Sequence, residues 1–391
     1  MALELQEKPV YEYATFPRQF LSYKWYKPIL VFVLAFVFMT VFQVVILLAA
    51  ILWQGDLSLL DSMTAGYDGM DAFSGPGAFA EFGSIAVMLP SIALAALIVR
   101  DRPYSSYTSS RGGWNWGAFG KSLVVAVVVM GISTFVGAFI PSDVPEPDHV
   151  IQFTVVGFIV CTALLPLQCI AEEYVFRGFF LQTFGSWFKL PVVGIIVSAV
   201  AFAAGHPYND IGVVLIFAGG IIWGVVAWQT KGLEASSAAH IVNNYIAFYS
   251  MGFGLQAQTS QVDVASLVIG VVTDAVFAAA VIYLGKKGHW FFSKGDGAAA
   301  FNARVSARLQ AKAARKQAGR GYVPEPPQAA CDVANSQAAG ASTAPQIVGA
   351  PVAPQAAGVP TVPQAVGAPA MPGGGSLSAP QAVRQPSNDG D

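Results

Sequence analysis

Charge is what this sequence has least of. Only 11% of its 391 residues are Asp, Glu, Lys or Arg, against about 25% in soluble domains. Beside a hydrophobic share of 54%, that deficit excludes an ordinary soluble globule and points to a chain that lives in a bilayer. Cysteine is nearly missing as well. Cys161, Cys169 and Cys331 make no disulfide framework, and the first two sit in an apolar run as free buried thiols. The His-Glu-x-x-His signature of soluble zinc proteases is absent. So is a recognisable signal peptide: the first apolar run, 29–53, is too long for a signal h-region and reads as a retained anchor. Nucleic acid is not expected among the partners.

What the chain has in abundance is long apolar runs. They cover about 29–53, 78–99 (with Pro90 as a kink point), 117–140, a run entering from 151, 191–206, 211–229, 235–251 and 262–284. Each is near the ~20 residues that a bilayer requires. The scarce Lys and Arg fall on every second connection. They sit at Lys8, Arg18, Lys24 and Lys27, at Arg100, Arg102 and Arg111, at Lys189, at Lys231, and at Lys286 and Lys287, while the intervening connections have none. By the positive-inside rule the expectation is an all-α membrane protein of about eight transmembrane helices with both termini cytoplasmic, in the plasma membrane and in contact with membrane lipid. The division expected is an N-terminal cytoplasmic segment 1–27, an eight-span domain 28–285, a basic juxtamembrane segment 286–320 and a tail 321–391. The basic segment holds nine Lys or Arg against one acid. Its Phe301, Val305 and Leu309 repeat suits either an amphipathic helix on an anionic leaflet or a solvated basic helix. The tail is rich in Pro, Ala, Gln and Gly with a loose nine-residue repeat, and it reads as disordered.

The stretch 171–178, Ala-Glu-Glu-Tyr-Val-Phe-Arg-Gly, breaks the apolar rule. Charge inside a span costs at least ~2.5–3.5 kcal/mol per group and marks function by default. On a helix Glu173 and Arg177 share a face and suit an ion pair, while Glu172 points about 100° away and is left free for other work. Further polar groups enter later spans: His206 after Phe202, His240 with Asn244 one turn on, and Asp274. Glu81 and Lys121 sit near span ends, where they can snorkel. Together Glu172, His206, His240 and Asn244 supply a base, two imidazoles and an amide donor, a set suited to hydrolysis. Each has a plainer reading. A lone intramembrane His or Asn is often a helix–helix hydrogen-bond partner, and the Glu173–Arg177 pair suits an internal brace.

Glu-Glu-x-x-x-Arg at 172–177, Phe-x-x-x-His at 202–206 and His-x-x-x-Asn at 240–244 resemble, in order and spacing, the three motifs of the CAAX-protease and bacteriocin-processing family. It is also called the Abi or type II CAAX prenyl endopeptidase family, of glutamate- or metal-dependent intramembrane proteases. The resemblance covers about 141–251. It implies that Glu172 activates the attacking water with His206 assisting, and that Glu173, Arg177 and Phe202 shape the site. His240 and Asn244 would stabilise the oxyanion, or His206, His240 and Glu172 would hold zinc or another divalent metal. A membrane-associated peptide or protein is the implied substrate, whether CAAX-type, pheromone or bacteriocin leader. The rivals are a proton-coupled transporter, with Asp274 in the relay, and a non-catalytic immunity or scaffold protein. Depth adds a condition. If the fourth span began at Ile151 as an ordinary crossing, Glu172 would lie ~30 Å along it, too far from His206 to meet it. The fourth helix is therefore expected to start outside the membrane and to run past Gly178 towards Trp187. Water should then reach Glu172 through a cavity from the cytoplasm.

Overall fold

In hydrocarbon every backbone N–H and C=O needs a partner within its own segment or its protein neighbours, so apolar runs of this length become helices. The described residues of the computed structural model, 12–64, 69, 71–292 and 297–318, are helical, with no strand among them. A 3-10 turn, Phe16–Gln19, precedes α1 Lys27–Gln54, α2 Ser58–Thr64, α3 Gly75–Ala86, α4 Met88–Val99, α5 Ser105–Thr108 and α6 Trp116–Gly137. Then come α7 Val155–Glu173, a π-helical segment Tyr174–Leu181, α8 Gln182–Phe188, α9 Pro191–Ala204, α10 Asp210–Thr230, α11 Glu234–Gly252, α12 Val264–Lys287 and α13 Gly297–Ala318. The tail with its repeat lies outside the described residues.

Among the described residues six stretches are long and apolar enough to cross a membrane: Lys27–Gln54, Gly75–Val99, Trp116–Gly137, Val155–Phe188, Asp210–Thr230 and Val264–Lys287. The protein is a multi-pass membrane protein. The remaining two expected spans are present as helices but differ from the other six. α9 has 14 residues, or ~21 Å, and His206 lies just past its end. α11 is long enough but polar, with Glu234, Ser236, Ser237, His240, Asn243 and Asn244. Its surroundings explain why that is tolerated. Residues 234–242 are all buried, with α6, α7 and α10 packed around the helix, so they meet protein rather than lipid. The second span breaks at Val87, between α3 and α4. Pro90 has no N–H for the Ala86 carbonyl four residues back, and its ring crowds that carbonyl.

The connections sort onto two faces. The segments bearing Lys and Arg meet at one of them. Arg18 donates to the Ser186 carbonyl (3.1 Å) and Trp187 to the Trp25 carbonyl (2.9 Å). Lys231 pairs with Glu12 (2.8 Å), and the Asn115 amide donates to the Trp290 carbonyl (3.2 Å). α13 docks there too, with Asn302 bridging the Leu21 N–H and the Gln19 carbonyl (2.9 and 2.7 Å) and Phe301 edge-on to Phe20. The segments without basic residues meet at the opposite face. There the Gln152 N–H donates to the Gly252 carbonyl (2.9 Å) and the Asn209 N–H to that of Ser260 (3.1 Å).

At that second face Asp263 caps α12. Its carboxylate accepts from the Ser266 N–H (2.7 Å), and from Ser142 and the Asp143 N–H (2.9 and 2.8 Å). These donors, Ser266 foremost, hold its carboxyl below the usual carboxylate range. A depressed value stabilises the fold above the unfolded-state value, and that contribution is lost as pH falls through the folded-state value. Asp263→Ala is expected to cost ~1 kcal/mol at pH 7. The gap to the wild-type protein should close on acidification, as thermal unfolding at stepped pH would show.

Candidate active site

The site is built on α7 and its continuation. Thr154 caps the start of α7 by accepting from the Gly157 N–H (2.9 Å). The helix tolerates Pro166 and runs on through the π segment to Phe188, where Lys189 turns the chain in a left-handed conformation (φ 60°). The fourth helix therefore extends past Gly178 as expected. The π segment was not foreseen. Such wide turns are rare and gather at functional sites. Here two of its carbonyls are met by other elements, with Ser198 donating to Phe176 (2.8 Å) and Arg102 to Gly178 (3.4 Å). Gly178 is required by close approach, because a Cβ there would stand 3.0 Å from the Tyr107 carbonyl oxygen.

Glu173 and Arg177 form the expected i,i+4 pair, Nη1 to Oε1 at 2.8 Å, and both are fully buried. The guanidinium lies over the Phe202 ring (4.5 Å) and beside Trp223 (5.6 Å). His240, 2% exposed, stands between the two carboxylates, with Nδ1 3.2 Å from Glu173 Oε1 and Nε2 3.3 Å from Glu172 Oε2. A proton must lie in each of these contacts, because carboxylate oxygens and a bare ring nitrogen are all acceptors. Glu172 also accepts from the Gln168 amide (3.0 Å). It is free of Arg177, as its angle implied, but it is not unengaged. Its Oε2 is held by two partners.

His206 reaches this centre through Phe202. Its Nδ1 meets the Phe202 carbonyl oxygen (2.7 Å), so Nδ1 carries the proton and a neutral ring leaves Nε2 as an acceptor. The rings of His206 and His240 lie 4.6 and 5.8 Å from that of Phe202. Asn244, half-buried, is on the His240 face of α11 and reaches the Cys169 thiol, one turn before Glu172. Its Oδ1 accepts from Asn243 (3.1 Å), which leaves its amide N–H groups as the available donors. The structure thus brings Glu172, Glu173, Arg177, Phe202 and His240 into one contact network. His206 and Asn244 stand at its edge. Both ring nitrogens of His240 face carboxylates, so of the two expected oxyanion donors Asn244 is the one with hydrogens to spare.

A metal would need Glu172, His206 and His240 around one ion. Among the described residues no group of three His, Cys, Asp or Glu side chains is placed to hold one. Both His240 nitrogens face carboxylates, and no step below uses a metal.

Three neighbours escaped sequence reasoning. Gln168 was legible in principle as the one polar side chain a turn before Glu172. Trp223 could not be told from any aromatic on an apolar helix. Glu81 was assigned to a span end, yet it lies half-buried within α3, inside the electrostatic reach of Glu172. On the basic face Ser106–Arg111 are buried, and Arg111 pairs with Glu234 (2.6 Å). Exposed positions near His206 and Asn244 include Ala204, Gly205, Pro207 and Asn243. Those loop residues could be buried because they find α8 and α11 as partners, which composition does not reveal.

Comparison with known proteins agrees with the motifs. Residues 152–246 match the family described as Rce1-like, type II CAAX prenyl endopeptidase Rce1-like. The uncharacterized protein YyaK of Bacillus subtilis (strain 168) is 27% identical over 171 residues, 40% of this chain and 55% of that protein. The chain thus spans about half the length of that relative. No solved structure matches it.

Proposed function

We propose that this multi-pass membrane protein, whose residues 152–246 resemble the Rce1-like endopeptidases, is itself an intramembrane endopeptidase. It hydrolyses a peptide bond in a membrane-associated peptide or protein, with water activated by Glu172. The observation that carries the reading is the grip on Glu172. One oxygen is fixed by Gln168 and His240, behind them stands the Glu173–Arg177 pair, and all of it is packed inside an apolar bundle.

In this reading water lies between Glu172 and His206 Nε2, both acceptors. Glu172 takes one proton as the oxygen attacks the peptide carbonyl. The amide of Asn244 donates to the oxyanion that develops. The intermediate then collapses, the C–N bond breaks, and the proton held by Glu172 passes to the leaving amine. No covalent enzyme intermediate forms. Glu173 and Arg177 keep His240 in place. The basic face is the cytoplasmic one, which puts both described ends of the chain inside the cell.

The test compares peptide N- and C-termini in cells carrying wild-type protein with those carrying Glu172→Ala at equal expression. Termini that vanish in the variant establish proteolysis and identify the substrate. Unchanged termini, with the variant inserted and folded, would turn the reading towards transport or scaffolding.

A further inference from the structure

One buried carboxylate near His240 has no part in the proposed chemistry. Asp274 lies in α12, outside the family-matched stretch, and is 8% exposed. Its Oδ1 accepts from the Trp223 indole N–H (3.1 Å). The Trp223 ring in turn packs on His240, with centroids 4.9 Å apart at 43°. We propose that Asp274 is a positioning residue for His240 that acts through Trp223, an inference that rests on the catalytic reading above.

The argument is geometric. His240 is held along its edge by Glu172 and Glu173. Those contacts fix where its nitrogens point but leave the ring free to tip. Phe202 stands perpendicular to it (90°) from α9, and Trp223 packs against it at a tilt of 43° from α10. A Trp side chain can swing about its χ angles unless its N–H is tethered. Asp274 is the tether, supplied by a separate helix. The room it needs comes from Gly219, one turn before Trp223 on α10, where a Cβ would fall 3.0 Å from Asp274 Oδ2. Small residue, indole and carboxylate are therefore fitted to one another across α10 and α12. The contact is also a poor proton path. An indole N–H is a donor only, so it cannot take up a proton from one side and release one to the other. Asp274 therefore does not relay protons to His240 through Trp223, which separates this role from a transporter's.

The experiment uses the full chain reconstituted in liposomes, with a quenched peptide spanning the cleavage site recovered from the comparison of termini. Asp274→Leu and Trp223→Phe are each expected to lower kcat ~10- to 100-fold at unchanged KM, the scale of a small misplacement of reacting groups. Asp274→Asn keeps an acceptor for the indole and should retain most of the rate. The double variant should be no slower than either single one, because both remove the same constraint. Gly219→Ala, which pushes on the carboxylate from α10, should act in the same direction and serves if Asp274→Leu does not insert. Loss in Asp274→Asn equal to that in Asp274→Leu would overturn the proposal, since charge and not tethering would then matter. So would additive losses in the double variant. A second arm needs no substrate: the imidazole nitrogen resonances of His240 in labelled protein should move in Trp223→Phe and Asp274→Leu and stay in Asp274→Asn. If Glu172→Gln kept full activity, the catalytic reading would fail by itself. The resonance arm would still decide whether Asp274 positions His240, and unmoved resonances would overturn it.

Discussion

Glu172→Gln protein is expected to insert and fold like the wild type and to turn over ~10²- to 10⁴-fold more slowly, the range that general-base catalysis contributes. The substitution suits the site. A glutamine oxygen in the place of Oε2 can still accept both from the Gln168 amide and from a protonated His240 Nε2, while Nδ1–H donates to Glu173. The contacts at 3.0 and 3.3 Å therefore survive. What is lost is the ability to take a proton from water, an event of the transition state, so kcat should fall with KM unchanged. Steady-state kinetics on purified protein would check it. Full activity in the variant would remove Glu172 from the role of base. The same wild-type turnover is expected to survive a strong chelator, because no three-ligand metal set is formed among the described residues. Activity lost to the chelator and restored by zinc would contradict that.

Arg177→Met is expected to cost ~3–5 kcal/mol of stability, the usual result of stripping one partner from a buried ion pair. Arg177 is fully buried, and its loss leaves the Glu173 carboxylate without its cation. Phe202 and Trp223 would also lose the guanidinium that lies against them. Glu173→Gln combined with Arg177→Met removes both charges and should recover a large part of that loss. Arg177→Lys should recover less. An ammonium has no planar fork to lie on the Phe202 ring while also reaching Glu173 and the Gly220 carbonyl. Unfolding in detergent, followed by denaturant titration, would order the three variants.

The parts that were legible in the sequence are those that obey a period or a charge rule. The helices fall close to the apolar runs, and the connections with and without Lys and Arg meet on separate faces. The Glu173–Arg177 pair was readable from its i,i+4 spacing. The passage of the fourth helix beyond Gly178 followed from rise per residue, since only a longer helix could bring Glu172 to the depth of His206. What escaped depends on long-range packing. The π segment at Tyr174–Leu181 has no composition that marks it, and it is supported by Ser198 and Arg102 from elsewhere in the chain. Trp223 gained its place from Asp274, 51 residues later in the chain. Glu81 looked like a span-end charge because its helix start was set three residues late, and its direction depends on how α3 packs on α7.

α11 could not partition into lipid by itself. A charged residue at the centre of an inserting helix costs ~2.5–3.5 kcal/mol on insertion scales; α11 carries Glu234 in its first turn, and His240 with two asparagines nearer its middle. The helices that wrap it, α6, α7 and α10, are all synthesised before it. Arg111, which neutralises Glu234, also precedes it. Every one of these partners of α11 thus lies N-terminal to it in the chain. The order of segments along the chain then carries meaning beyond architecture: the polar helix that bears His240 follows in sequence the helices that pack on it and the arginine that pairs with Glu234.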